Sequence, residues 1–258
     1  MKVLVTGHQG RIGEHLLPAL IRAGHDVRGI DRKTGGNILD DYFAHNITQS
    51  YRPEAIIHLA AISGVQESID DPFDDAQTNI LGTIVALEIA RGTGCRIIVA
   101  SDAVASYDAE NPHRLSKKTA MEYTSMYRSL YGVDSIILGL ANVYGPGMGG
   151  LVGKLVDDHL ADGGVTIHGD GTQTRDFIHV DDVIRAFVES LNWQPGYYEI
   201  ATGISTPVFE VFRALTFKWG FTPAKTFTDE LPSEGSNPPM RCDLPWTPII
   251  LWDGLDRI

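Results

Sequence analysis

The chain has 258 residues, 43% apolar and 21% charged, with 27 Gly and 13 Pro. That is ordinary globular composition and excludes a disordered, collagenous or coiled-coil chain; the length suits one main core with an elaboration. Lys and Arg number 21 against 33 Asp and Glu, leaving −12 at neutral pH, a field that repels a phosphate backbone, so nucleic acid is not an expected partner.

Cys95 and Cys242 stand outside any paired spacing, so neither a disulfide framework nor a thiolate zinc site is expected, and a reducing cytoplasm fits. The nine His residues are scattered without metal-ligand spacing, so no metal is expected. The apolar runs Ala55 to Ile62 and Ile136 to Leu140 are too short to cross a bilayer, and no charged leader precedes the first motif. The expectation is a soluble, unprocessed chain with no membrane partner.

Lys2 to Thr6 is a β-branched run that stops at Gly7, which predicts a first strand. The spacing of Ile12, Leu16, Leu17, Leu20 and Ile21 predicts a helix that Gly24 ends. Val27 to Ile30 reads as a second strand. Apolar runs without alternation recur at Ala55 to Leu59, Arg96 to Ala100 and Ser135 to Leu140, the pattern of strands buried on both faces. Helix-like stretches separate them, so the chain is α/β with a parallel sheet. After Asn142 the texture changes to a loop rich in Gly and Pro, a short helix at Lys154 to Leu160 and brief strands. This predicts a main domain at 1–141 plus 174–203, with Asp176 to Ala201 returning to the main sheet. A smaller cap domain takes 142–173 plus 204–258.

Thr6-Gly7-His8-Gln9-Gly10-Arg11-Ile12-Gly13 lies where the first strand turns into the first helix, the context that a phosphate-binding glycine loop requires. Gly7 permits the tight turn, Gly10 lets the backbone approach a pyrophosphate, and Gly13 lets helix and strand pack closely. The helix N-terminus adds free N–H groups. Asp31 closes the second strand and would accept hydrogen bonds from an adenosine ribose while repelling a 2′-phosphate. NAD is favoured over NADP, although Arg32 next door is a side chain that could serve that phosphate. Gly149 to Lys154 is no Walker loop: Met148 stands at its first Gly and Leu155 at its Ser or Thr.

Further stretches resemble the nucleotide-sugar epimerase/dehydratase family, the extended branch of the short-chain dehydrogenase/reductases. They are His58-Leu59-Ala60-Ala61, Ser68-Ile69-Asp70-Asp71-Pro72, Asn79-Ile80-Leu81-Gly82-Thr83, Asn142-Val143-Tyr144-Gly145-Pro146-Gly147 and the run from Gly169 to Val183. The resemblance covers essentially the whole chain. It implies a Rossmann-type doubly wound sheet holding NAD and a smaller C-terminal domain for a nucleoside-diphosphate sugar. By it, Asn46 and Ile47 sit where adenine is contacted, and Leu59, Ala60 and Ala61 beside the pyrophosphate. Asn142, Arg175 and Arg241 are candidates for gripping the substrate, the arginines because a forked guanidinium suits a diphosphate. The segments Asp75 to Arg91 and Arg114 to Tyr131 resemble the helix pair that forms a four-helix dimer interface in the family, so a homodimer is expected.

The family places a Tyr and a Lys four residues apart on one helix; the Lys charge lowers the Tyr pKa and the phenolate removes a hydroxyl proton. Here the stretch is His113-Arg114-Leu115-Ser116-Lys117, with Lys117 in place and His113 at the Tyr position. The hydroxyl partner is altered too: Ser101-Asp102 ends the fifth family strand, with Asp102 where the hydroxyl is expected, and the loop from Ser106 to Pro112 is shorter than the family's. Two readings follow. In one, neutral His113 is the base, oriented by Asp102; Tyr107, brought closer by the short loop, is an alternative. In the other, the fold keeps its cofactor without the chemistry and senses or scaffolds. A reductase of apolar carbonyls is a third reading, against which the arginines speak. Tyr123, Tyr127 and Tyr131 recur at helical spacing and read as core or dimer-face residues.

Overall fold

The computed structural model describes residues 1–40, 46–107, 109–160, 165–219, 225–228 and 236–257. Six strands form the main sheet: β1 (Lys2–Thr6), β2 (Asp26–Ile30), β3 (Ala55–His58), β4 (Arg96–Asp102), β5 (Ser135–Leu140) and, from much later in the chain, β9 (Gly196–Ile200). Their order is β2-β1-β3-β4-β5-β9. β1 pairs parallel with both β2 and β3, and β3 with β4. The chain therefore runs outward from β1 to β2 and returns to the other side of β1 for β3. That reversal is the switch point at which a doubly wound sheet opens a crevice beyond its carboxyl ends.

The continuous apolar runs do what their composition demands: every residue of β3 and of β5 is buried. Leu4, Ile56, Ile97 and Val99 from the strands meet Leu87 and Ala90 of helix α4 (Gly82–Thr93) and Tyr127 of helix α5 (Pro112–Tyr131) in one core. Helix α1 (Arg11–Arg22) buries Gly13, Leu16 and Leu20. Before α4 the chain makes helix α2 (Val65–Asp70), helix α3 (Pro72–Ala76) and a π turn at Gln77–Leu81. Wide turns of this kind occur often at functional sites.

The chain divides into two units, 1–139 with 184–198, and 140–183 with 199–258. In the second, β8 (Thr174–His179) lies between β10 (Ser205–Pro207), antiparallel, and β6 (Asn142–Tyr144), parallel. A two-stranded sheet pairs β11 (Lys225–Thr228) with β7 (Val165–His168). Helices α6 (Gly150–Leu160), α7 (Val180–Ser190), α8 (Val208–Trp219) and α9 (Leu251–Leu255) follow in chain order, with α7 running from residues of this unit into residues of the first. The core of this unit contains Tyr144, Phe177, Val211, Phe212 and Leu251.

The stretch expected to rejoin the main sheet as a block is split. Only Gly196–Ile200 pairs there, whereas Thr174–His179 finds its ladder partners nearer to hand in β6 and β10. A strand is placed by whichever edges are free to pair with it, and its own composition does not name them. Helix α6 also begins earlier than the run expected at Lys154, because its first turn starts at Gly150.

Candidate active site

The glycine loop follows β1 at the switch point. Gly7 has a φ of 72°, and a Cβ there would lie 2.6 Å from the backbone nitrogen of Ala60; only glycine lets the ends of β1 and β3 come this close. A Cβ on Gly13 would lie 2.5 Å from the Gly7 carbonyl oxygen, which fixes how tightly α1 leaves the strand. Gly10 caps α1 with no side-chain hydrogen bond, so the helix presents bare N–H groups at its N-terminus, the donors that a phosphate takes up. Arg11 and Ile12 form its first turn. Asp31 accepts from the Gln9 N–H at 2.9 Å through one oxygen and from the Lys33 N–H at 2.9 Å through the other, and so ties the end of β2 to the loop. These groups fit a dinucleotide: a glycine cradle, an open helix end and a carboxylate beside them.

Arg32 does not stand free. Its guanidinium pairs with Asp74 at 3.2 Å and donates to the Thr78 hydroxyl. Ile47, expected at the adenine, is 3% exposed and packs in the apolar core, and Asn46 is exposed, its carbonyl accepting from the Ser50 hydroxyl.

Beneath the loop runs a buried chain of hydrogen bonds that sequence reasoning did not assemble. Ala60 N–H donates to the Thr6 hydroxyl at 3.2 Å, and Thr6 meets Nδ1 of His58 at 2.8 Å. Nε2 of His58 meets the Thr83 hydroxyl at 3.2 Å, and Thr83 donates to the Asn79 carbonyl at 2.6 Å. Each hydroxyl has one proton, so directions follow: Thr6 donates to Nδ1, and Nε2–H donates to Thr83. Burial, and after it the charge of Lys117, hold His58 down at about 3, neutral in this role.

Asn79, in the π turn, gathers the next layer. Its amide oxygen accepts from Ile62 N–H at 2.8 Å, and its amide nitrogen faces Asp75 at 2.8 Å and the Ser116 hydroxyl at 3.0 Å. Asn111 caps α5 by accepting from Arg114 N–H at 2.9 Å, with Pro112 in the first turn. This start aims His113, Ser116 and Lys117 from one face. The N–H of His113 donates to the Ser68 hydroxyl at 3.1 Å. Burial and then Lys117 push the His113 ring down to about 4, while a hydrogen bond to the Ile62 backbone opposes this.

Lys117 is partly buried, and the hydrogen bond of its ammonium to the Ala100 carbonyl is a long 3.4 Å. Desolvation lowers it to about 8 against the pull of Asp102 and Asp75. Asp102 accepts from Val104 N–H at 2.8 Å, the Ser101 hydroxyl is buried without a partner, and Tyr107 is 48% exposed. The carboxylate nearest His113 is Asp75, 3.9 Å from Nδ1. The signal for it in the sequence is the four-residue spacing of Asp75 and Asn79, matched by the three-residue spacing of His113 and Ser116.

In the second unit Asn142 accepts from the Asn237 amide at 3.4 Å. Arg175 donates to the Thr174 carbonyl at 2.9 Å. Arg241 is 63% exposed, with Asp243 at 3.4 Å and buried Glu199 at 3.8 Å. Among the described residues no group of three or more His, Cys, Asp or Glu is placed to hold a metal ion, and no helix is long and apolar enough to cross a membrane.

The model of the NAD dependent epimerase/dehydratase family matches residues 3–201. The chain belongs to that family. This epimerase/dehydratase chain is 32% identical to UDP-glucose 4-epimerase of Mycolicibacterium smegmatis over 255 aligned positions, which take in 83% of this chain and 82% of the relative. The crystal structure of UDP-glucose 4-epimerase with UDP-glucose from Thermotoga maritima matches with a TM-score of 0.91 at 28% identity, over 99% of this chain and 96% of that one. The Thermus thermophilus UDP-glucose 4-epimerase in complex with NAD matches with a TM-score of 0.84 at 28% identity, over 93% and 91%. The Rossmann-type sheet of the first unit is thus the fold of a known nucleotide-sugar family that uses NAD.

Proposed function

We propose that this chain interconverts UDP-hexoses as an NAD-dependent 4-epimerase, with Lys117 as the group that takes and returns the hydroxyl proton. Lys117 carries the reading: it has one long hydrogen bond and is lowered to about 8, so a useful fraction is neutral near physiological pH, as a general base requires. The names of the relatives in hand support the sugar class.

In this reading Gly7 to Gly13 take the pyrophosphate of NAD, Asp31 the adenosine ribose, and Leu59, Ala60 and Ala61 flank the loop. Bound NAD would supply the hydride acceptor and donor that oxidation and reduction of a sugar carbon need. Ser101 offers a hydroxyl that has no other partner, and Asp102 holds the Lys117 ammonium in place when it is charged. Asn142, Arg175 and Arg241 take the nucleotide end of the substrate. The family resemblance supports a homodimer through Asp75 to Arg91 and Arg114 to Tyr131, where Leu81 and Leu115 present apolar surface, 45% and 54% exposed; a monomeric mass at micromolar concentration would refute it. Two free thiols, Cys95 and Cys242, fit a cytoplasmic setting.

The second reading is a silent NAD or nucleotide-sugar binding protein, favoured by His113, whose Nδ1 is buried where the family carries a phenol. Incubation with UDP-glucose, UDP-galactose and UDP-glucuronate separates the two. Interconversion of any of them supports the enzyme; calorimetric NAD binding without turnover supports the silent protein; neither binding nor turnover overturns both.

A further inference from the structure

Two basic side chains follow Asp31 just past β2, and the fold ties both of them down. Lys33 donates through its ammonium to the Gln9 carbonyl at 2.8 Å, back into the glycine loop. Arg32 reaches the other way, to α3. Its guanidinium meets both oxygens of the Asp74 carboxylate, Nη1 to Oδ2 at 3.4 Å and Nη2 to Oδ1 at 3.2 Å, the forked pairing that an arginine makes and a lysine does not. Nη2 also donates to the Thr78 hydroxyl, and that hydroxyl donates to Asp74 Oδ1 at 3.3 Å. The proton of Thr78 and a lone pair on its oxygen are both used, so the three side chains close on one another.

The anchor for Arg32 is set by local structure. Asp71 caps α3 by accepting from the Asp74 N–H at 3.0 Å, with Pro72 in the first turn. Thr78 follows four residues after Asp74, in the π turn, on the same side of the helical stretch.

An arginine beside the carboxylate that takes the adenosine ribose is the group that receives the 2′-phosphate where NADP is used. Such an arginine is present here and is occupied. We propose that Asp74 sets the preference for NAD: by holding Arg32, with the help of Thr78, it denies a 2′-phosphate the cation that would offset Asp31. Asp74 is a positioning residue that acts through Arg32. A 2′-phosphate wins the arginine only by breaking the forked pair and leaving the Asp74 carboxylate uncompensated nearby. Arg32 and Asp74 are 47% and 38% exposed, so solvent screens the pair, and the effect is a severalfold bias and not an absolute bar. The inference rests on the reading in which Asp31 takes the adenosine ribose, and it is independent of the role given to Lys117.

Fluorescence titration of the full chain with NAD and with NADP reads the ratio of the two dissociation constants without substrate. Asp74→Ala is expected to tighten NADP by roughly threefold or more and to leave NAD within about twofold. An unchanged ratio overturns the proposal, and so does a variant that loosens both dinucleotides alike, which is what a merely structural role produces. Asp74→Asn keeps the shape without the charge and is expected to move the ratio in the same direction, so the test stands if the Ala variant folds poorly. Adding Arg32→Ala separates the arginine from the charge of Asp74 itself: the double variant should bind NADP no more tightly than Arg32→Ala alone. A gain for NADP that persists without the arginine overturns the proposal, because Asp74 would then act on the phosphate by direct repulsion. Failure of the unaltered chain to bind either dinucleotide would overturn the cofactor reading and this proposal with it, whereas tight NAD with an unmoved ratio sinks this proposal alone.

Discussion

His58 makes a quantitative prediction about acid. It is 3% exposed, lies between the Thr6 and Thr83 hydroxyls, and is held at about 3 by burial first and Lys117 second. At neutral pH it is uncharged whether the chain is folded or not. Below its ordinary 6.5 the unfolded chain takes up a proton that the folded chain refuses until about 3, so stability is lost as pH falls through that window. The loss is about 1.4 kcal/mol per pH unit, or about 2 kcal/mol on going from pH 7 to pH 5. His113, held at about 4, adds about 2 kcal/mol by the same route. Most carboxylates titrate lower and leave this interval to histidines. His58→Gln keeps an amide donor and acceptor for the two hydroxyls and cannot titrate. The assay is denaturant unfolding of both proteins at the two pH values, comparing differences so that the cost of the substitution cancels. The variant should lose about 2 kcal/mol less than the wild type between pH 7 and pH 5. Because His25 is also lowered, the comparison, and not the wild type alone, isolates His58. Equal pH dependence in the two proteins would refute the reasoning.

Gly7→Ala places a methyl 2.6 Å from the Ala60 nitrogen at a φ of 72°; NAD binding followed by calorimetry should weaken at least tenfold, and unchanged affinity would remove the loop from the cofactor site. Lys117→Met should cost 100-fold or more in kcat, roughly the range of a lost general base. Lys117→Arg should fail equally because a guanidinium cannot release its proton. In the unaltered chain kcat/KM should rise with pH through about 8, as the neutral amine appears, and a profile flat across that pH contradicts the role. Arg32→Ala should not strengthen NADP binding, since Asp31 still repels the 2′-phosphate, nor weaken it, since Arg32 is committed to Asp74 and Thr78. A loss of NADP affinity in a fluorescence titration would show that the arginine had been serving that phosphate.

The strand, glycine turn and helix from Lys2 to Arg22 were legible because each residue there answers to its immediate neighbours: a φ that only glycine adopts freely, a helix start, a buried strand. The helix over Arg114 to Tyr131 and the shared face of 113 and 117 were legible by another route, the family resemblance, while the Asn111 cap that starts α5 came only with the structure. What resisted reading depends on segments brought together by the fold. Arg32 looked like an open charge beside Asp31, yet Asp74 lies against it from 42 residues away. Thr174–His179 looked like a main-sheet strand because burial leaves the same apolar mark on any strand, whichever sheet takes it. Asp102 was the natural orienter for His113 by its place after Ser101, but the carboxyl nearest the ring is Asp75, which the sequence presents only as an early residue of an expected interface helix. A resemblance transfers a backbone position; what a side chain does there is set by the groups that fill the sphere around it. At 113 that sphere is buried, holds the Asp75 carboxyl and the backbone of Ile62, and lies beside the cations Lys117 and Arg114. Such surroundings select a neutral ring, which is why the proposed mechanism puts the proton on the amine one helical turn further on.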